Sequence, residues 1–212
     1  MKCLICNSST EHFIDKKDNI EYFECDSCQC IIKSKDNFVD FNKQKQRYDL
    51  HENSENSSGY REYFNRFLDF VLDDGKDIKS ALDFGCGATS LLAKILKEKN
   101  IECDFYDPIY YRDNNYNKSY DLIVSIEVFE HLHNPKKIFE ELVDKLNPKG
   151  YLAIQTAFHP QNRDNFLKWY YKLDPTHIIF FSPHTFNILA KEYNLEILKH
   201  NSKNIILMQK RD

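Results

Sequence analysis

Ala81-Leu82-Asp83-Phe84-Gly85-Cys86-Gly87 is the stretch that decides the fold. A short apolar strand runs into a turn with two glycines, and Leu91, Leu92, Ile95 and Leu96 then recur at helical spacing. Glycine is scarce, five in 212 residues. Two in one turn therefore mark a place where the backbone turns tightly or approaches a ligand. In a strand-turn-helix unit that place is the carboxyl end of the strand, where open α/β sheets bind nucleotides. Ile101 to Tyr106 reads as a second strand. Asp107 at its end stands 20 residues after Gly87, where an acid can accept hydrogen bonds from ribose hydroxyls. An ordinary tight turn explains the glycines alone; the acid at that spacing favours a nucleotide site.

The pattern continues outward. Asp121 to Ile126 is a third strand, and Asn134-Pro135 is an N-cap and first-turn pair. The helix it opens carries Ile138, Phe139, Leu142, Val143 and Leu146 on one face. Gly150 to Ile154 is a strand, Ser182-Pro183 starts a capped helix through Tyr193, and strands around Leu195–Lys199 and Ile205–Met208 close as an antiparallel hairpin. Upstream, Tyr60, Tyr63, Phe64, Phe67, Leu68 and Val71 form an amphipathic helix ended near Gly75. The expectation is an α/β fold with a mostly parallel sheet and helices on both faces. Three zones are expected: a cysteine-rich module over 1–34, a helical linker or cap over 35–77, and the nucleotide-binding domain over 78–212.

A 42% hydrophobic composition supports a sizeable core. A net charge of -4 leaves no electrostatic footprint for nucleic acid or anionic membrane. No apolar run approaches the roughly 18 to 20 residues of a bilayer span, and Met1 to Cys6 is too short for a secretory signal. The expected location is the cytoplasm, where seven cysteines serve as thiols or metal ligands. Cys3-x2-Cys6 and Cys25-x2-Cys28, 18 residues apart, match a closed four-thiolate structural zinc site, with Cys30 as a spare or a substitute for Cys28. Lys16, Lys17 and Lys33 alternate there with Asp15, Asp18, Glu21, Glu24 and Asp26, so the module shows no basic face.

Leu82 to Gly87, Tyr106-Asp107-Pro108, Tyr120 to His131 and Asn147-Pro148-Lys149-Gly150-Tyr151-Leu152 together resemble class I S-adenosylmethionine-dependent methyltransferases, with Rossmann-like sheets. The resemblance covers about residues 78 to 208. It implies that Asp83, Gly85, Cys86 and Gly87 line the methionine end of S-adenosyl-L-methionine, and that Asp107 holds the ribose. It also implies that Ser125 and Glu127 face cofactor and acceptor. The family's third glycine is Thr89 here. Only 13 residues separate Asp107 from Asp121, too few for the usual helix, strand and helix. A sheet shortened after the second strand follows, with adenine against Pro108, Ile109 and Tyr110. Dinucleotide oxidoreductases want a glycine where Ser90 stands, which disfavours an NAD enzyme.

Glu127, Glu130 and His131 share one face of a helical turn. Similar blocks in small-RNA 2′-O-methyltransferases and ubiquinone-pathway O-methyltransferases bind a divalent metal, and the RNA enzymes add a later histidine, here His177. Such a metal, on Glu127, Glu130, His131 and His177, would orient an acceptor hydroxyl; many relatives use the block without metal. His131 and His177, with Glu130, are the catalytic candidates. His133, His184 and His200 read as surface or packing residues. In similar ribbon-bearing enzymes the stretch before the core reaches the site, which makes Tyr48, His51, Asn53 and Tyr60 candidates, Asn53 and Tyr60 as cofactor contacts. Phe166 to Tyr171 stacks on an acceptor or packs as a lid. The expected activity is O- or N-methylation of a small molecule. The alternatives are an inactive ribbon-plus-Rossmann binding module and a metal-assisted RNA enzyme. Sequence leaves acceptor and oligomeric state open.

Overall fold

The strand-turn-helix alternation builds a six-stranded sheet whose strands lie in the order Glu102–Tyr106, Ser80–Phe84, Tyr120–Ile126, Leu146–Gln155, Ile205–Lys210 and Leu195–His200. The computed structural model describes residues 1–49, 58–72, 75, 77–114 and 116–212. Strands β4 (Ser80–Phe84), β5 (Glu102–Tyr106), β6 (Tyr120–Ile126) and β7 (Leu146–Gln155) run parallel. The closing hairpin, β9 (Leu195–His200) and β10 (Ile205–Lys210), inserts β10 antiparallel between β7 and β9.

Side-chain alternation distributes the core between two faces. Ala81, Leu122, Val124, Ala153, Ile205 and Leu207 point to helices α2 (Ser58–Leu72) and α3 (Leu91–Glu98). Leu82, Ile123, Leu152, Ile154, Ile206 and Met208 point to α4 (Pro135–Asp144) and α6 (Pro183–Glu192). Strands apolar on both faces are what a sheet covered by helices requires. Ser182 and Thr185 make a reciprocal capping box for α6. Asn134 does not cap α4 with its side chain; there Pro135, with its preset φ, opens the helix alone.

The sheet ends at β5, as the short Asp107–Asp121 interval requires. In place of another strand, the chain turns back on itself, with the Tyr111 amide donating to the Asp107 carbonyl at 2.9 Å. Asn114 Nδ2 donates to the Phe105 carbonyl on the open strand edge at 3.0 Å.

A second, antiparallel sheet holds β1 (Thr10–Asp15), β2 (Ile20–Cys25), β3 (Ile31–Lys33) and β8 (Ile179–Phe180). The last strand comes from the far end of the chain, pairing Ile31 with Phe180 and Ile32 with Ile179. Phe13, Tyr22, Ile31, Phe166 of the short helix α5 (Arg163–Leu167), Tyr171 and Phe180 form the cluster beneath it. Lys172, 2% exposed, donates to Asp15 at 2.6 Å and to Asp18 at 3.0 Å. The cysteine module is thus built into the main domain by a strand, an apolar cluster and a buried ion pair.

Candidate active site

The glycine turn leaves β4 in a backbone that side chains resist: φ is +82° at Gly85 and +66° at Gly87. A Cβ on Gly85 would lie 2.2 Å from Cγ2 of Val128. The amides of Gly85 and Cys86 both donate to the Tyr106 carbonyl, at 2.8 and 3.1 Å, which pins the turn to β5. Asp107 completes the clamp. Its Oδ2 accepts from the Gly87 amide at 3.1 Å, and its Oδ1 from the amides of Ile109 at 2.8 Å and Tyr110 at 3.1 Å. Three of its roughly four lone-pair sites are thus filled, and Oδ2 keeps one for another donor. Asp83 is 3% exposed and its Oδ2 has no partner. Burial, and then the Asp107 charge, push its carboxyl up to about 7.

These groups form one wall of a cavity of about 880 Å³, within the usual range for small-molecule sites. The roof comes from α1 (Phe41–Asp49), with Gln44 and Tyr48, and from α2, with Tyr60, Tyr63 and Phe64. Tyr110 donates to Asp49 at 2.7 Å, tying the shortened loop to this roof.

A second wall rises beside it from the end of β6, the strand paired with β4. Glu127 adopts a left-handed φ of +54°, and its amide donates to the Gln155 carbonyl at 2.8 Å. Its Oε2 accepts from the Tyr171 hydroxyl at 2.8 Å, and its Oε1 from Tyr63 and Gln155 at 3.4 Å each. Burial, then the neighbouring Glu130 charge, push Glu127 up to about 7. Glu130 lies behind this wall with no exposed surface; its Oε1 stands 2.5 Å from the same Tyr171 hydroxyl, whose one proton serves either carboxylate, and its Oε2 has no partner. Burial raises its carboxyl too.

His131 Nδ1 lies 3.1 Å from the Thr176 carbonyl, and His177 Nδ1 lies 2.7 Å from the Tyr171 carbonyl. A carbonyl only accepts, so the proton sits on Nδ1 in each ring and Nε2 keeps a lone pair. Burial lowers both imidazoles, His177 to about 3 with the help of His131 beside it. Both rings are therefore neutral near pH 7. Asp174 shares this wall. Burial opposes its ionisation, but hydrogen bonds from Thr176 and Arg47 hold it well below the usual carboxylate range.

Asp83, Gly85, Cys86, Gly87, Asp107, Pro108, Ile109, Tyr60, Glu127, His131 and His177 thus all line one cavity. Two expected residues do not: Ser125 is sealed within β6 and Glu130 stands behind the wall. Asn53 and His51 lie outside the described residues. Tyr48 reaches the cavity, with its ring 5.2 Å from that of His131. Of the Phe166–Tyr171 segment only Tyr171 lines it; Trp169 packs against Phe180 and Tyr170 is 72% exposed. His133, read as a surface or packing residue, lines the cavity instead. Sequence reasoning missed Tyr63, Phe64, Gln44 and Asp174. The two aromatics were read as core stripe, and nothing local marks the others.

Glu130, His131 and His177 bring ligand atoms within 4.8 Å of one another, so they could hold a divalent cation; Glu127 stands outside that grouping. The sulfurs of Cys3, Cys6, Cys25 and Cys28 likewise lie within 4.8 Å of one another. A tetrahedron with Zn–S bonds of about 2.3 Å needs edges of about 3.8 Å, so this donor set fits zinc. Cys30, itself buried, is a fifth thiol beside them, its sulfur 3.3 Å from that of Cys3 and 3.5 Å from that of Cys28. Thr185 Oγ1 donates to the Cys28 carbonyl at 2.9 Å, docking the knuckle on α6. Among the described residues, no helix is long and apolar enough to cross a membrane.

A family model described as a methyltransferase domain matches residues 55–200. No curated protein matches the chain. Among solved structures, an O-methyltransferase family protein from Burkholderia thailandensis superposes with a TM-score of 0.58 at 11% identity, over 80% of this chain and 63% of that one. The mitomycin 7-O-methyltransferase MmcR gives a TM-score of 0.54 at 14% identity, over 78% and 60%. The N-methyltransferase NodS from Bradyrhizobium japonicum WM9, in complex with S-adenosyl-L-homocysteine, gives 0.53 at 14% identity, over 81% and 98%. At such identities the likeness is one of fold. The chain spans less than two thirds of the first two of these structures.

Proposed function

The chain belongs to the methyltransferase-domain family, and from that premise we propose that it transfers a methyl group from S-adenosyl-L-methionine to oxygen or nitrogen of a small molecule. The observation that carries this reading is the convergence of Asp83, the glycine turn and Asp107 on the same cavity as Glu127, His131 and His177.

Each group has a task that its surroundings suit. Asp107, already ordered by three amides, accepts from a ribose hydroxyl on its remaining Oδ2 site. Asp83 Oδ2, buried without a partner, accepts from the methionine ammonium. Gly85 lets the backbone approach, since nothing larger than hydrogen fits before Val128. Pro108, Ile109 and Tyr110 flank the adenine, and Cys86, Tyr60 and Asn53 complete the cofactor contacts. The cofactor supplies an electrophilic methyl on a sulfonium. The protein aligns the nucleophile, excludes water beneath the α1–α2 roof and takes up a proton. His131 and His177, neutral with Nε2 lone pairs, are the proton acceptors on the acceptor side. Glu130 acts from behind the wall through Tyr171, and Ser125, sealed within β6, touches no ligand. Zinc on Cys3, Cys6, Cys25 and Cys28 is structural.

A second reading is favoured by the 4.8 Å grouping of Glu130, His131 and His177: a divalent cation there, with Glu127 nearby, orients an acceptor hydroxyl. The test is an acceptor screen with methyl-labelled cofactor over fractionated small molecules, RNA and protein, with Asp107→Ala as control. The proposal expects label in small molecules whether or not Mg²⁺ or Mn²⁺ is added to the zinc-loaded chain. Label in RNA alone, and only with added Mg²⁺ or Mn²⁺, supports the second reading, and no label anywhere refutes catalysis.

A further inference from the structure

Glu127 is a carboxylate without a counter-ion. Tyr171, Tyr63 and Gln155 are neutral donors to its oxygens, and among the described residues no lysine or arginine pairs with it. Asp174, the other acid on that wall, is already balanced by Arg47 at 3.0 Å. A partly buried carboxylate held only by neutral groups lacks the charge partner that usually offsets desolvation. Its backbone sits at φ +54°, a conformation disfavoured for glutamate and typical of positions where function sets side-chain direction. On the neighbouring strand, lining the same cavity, Asp83, 3% exposed, leaves a second carboxylate oxygen without a partner. Tyr63 and Tyr171 touch Glu127 directly, and Tyr60 lines the same cavity with its ring 6.4 Å from that of Tyr63.

We propose that Glu127, ringed by these tyrosines, is the counter-ion of an organic onium group, a sulfonium or a protonated amine. This assignment rests on the methyltransferase reading and deepens it. The chemistry favours a diffuse organic cation. Aromatic faces attract such a cation through their quadrupoles, whereas a hard divalent ion needs several oxygen ligands at once. Both oxygens of Glu127 are already engaged by neutral donors, and Glu127 stands outside the group of residues that could share an ion. The sulfonium comes from the methyl donor and disappears on transfer, because the C–S bonding pair stays on sulfur. The ammonium comes from an acceptor amine, which loses its proton before attack. With a hydroxyl acceptor, which gives up its proton, the completed reaction removes the charge from the cavity; with an amine acceptor the charge passes from sulfur to the methylated nitrogen, which leaves as an ammonium.

Calorimetry on the full, zinc-loaded chain separates the sources. In the donor arm, wild type binds S-adenosylmethionine about tenfold tighter than S-adenosylhomocysteine, and Glu127→Gln loses the preference while its S-adenosylhomocysteine affinity stays within about threefold. In the acceptor arm, with S-adenosylhomocysteine bound, benzylamine binds wild type and benzyl alcohol does not, and Glu127→Gln binds neither. A Glu127-dependent preference in either arm supports the proposal and names the source. Tyr63→Phe provides a second variant, expected to weaken the same preference in part. Retention of both preferences in Glu127→Gln overturns it, as does Glu127-dependent binding of Mn²⁺ in place of either cation. Failure of wild type to bind S-adenosylhomocysteine refutes the methyltransferase reading instead.

Discussion

A methyl group on Gly85 would meet Val128 at 2.2 Å on a left-handed backbone. Gly85→Ala should therefore cost about 2–4 kcal/mol in urea unfolding. Val128→Ala in the same chain should recover only the steric part. Asp83 makes a prediction of opposite sign. Its folded pKa, about 7, is raised above the unfolded value near 4, so between those limits the folded state binds more protons and stability falls as pH rises. Asp83→Asn should be more stable than wild type at pH 8, on the order of 2–4 kcal/mol, and should converge with it near pH 4. Loss of ligand binding in the same variant would show that the site retains Asp83 at a cost in stability. Unchanged stability at pH 8 would contradict the buried, partnerless carboxyl. Asp83, Gly85 and Asp107 were legible in sequence because their tasks belong to one strand-turn-helix unit. Tyr63 and Asp174 were not, because what they touch is fixed by distant segments.

At the scale of elements, the six-stranded sheet, its missing outer strand and its closing hairpin followed from alternation and from the interval after Asp107. Strand β8 did not. Two residues, Ile179 and Phe180, carry no periodicity of their own, and only pairing with β3 makes them a strand. The Lys172 contacts with Asp15 and Asp18 are equally illegible, since they join segments more than 150 residues apart. Lys172→Met should cost about 3–5 kcal/mol, because it strands a buried carboxylate. Burial opposes ionisation of Asp15, but the Lys172 hydrogen bond outweighs it and its pKa is lowered. The pair's contribution is therefore present above about pH 4 and is lost as pH falls below it. Acid unfolding of wild type and Lys172→Met should converge there; a constant gap down to pH 2 would contradict the pairing.

For the molecule as a whole, the cysteine knuckle, the acceptor wall and the cofactor turn form one connected body. Metal analysis should find about one zinc per chain. Its removal should loosen β3 and β8, and with them the segment carrying Tyr171 and His177, so chelation should lower the melting temperature and disturb the histidine NMR resonances. A chelated chain with unchanged melting would contradict the staple. The central claim is that the glycine turn and Asp107 form a methyl-donor site. Titration calorimetry of the purified chain with S-adenosylmethionine, S-adenosylhomocysteine and NADH tests it most directly. The account predicts saturable binding of the first two, none of the third, and loss of both in Asp107→Ala. Binding of NADH alone, or of none of the three, would contradict it.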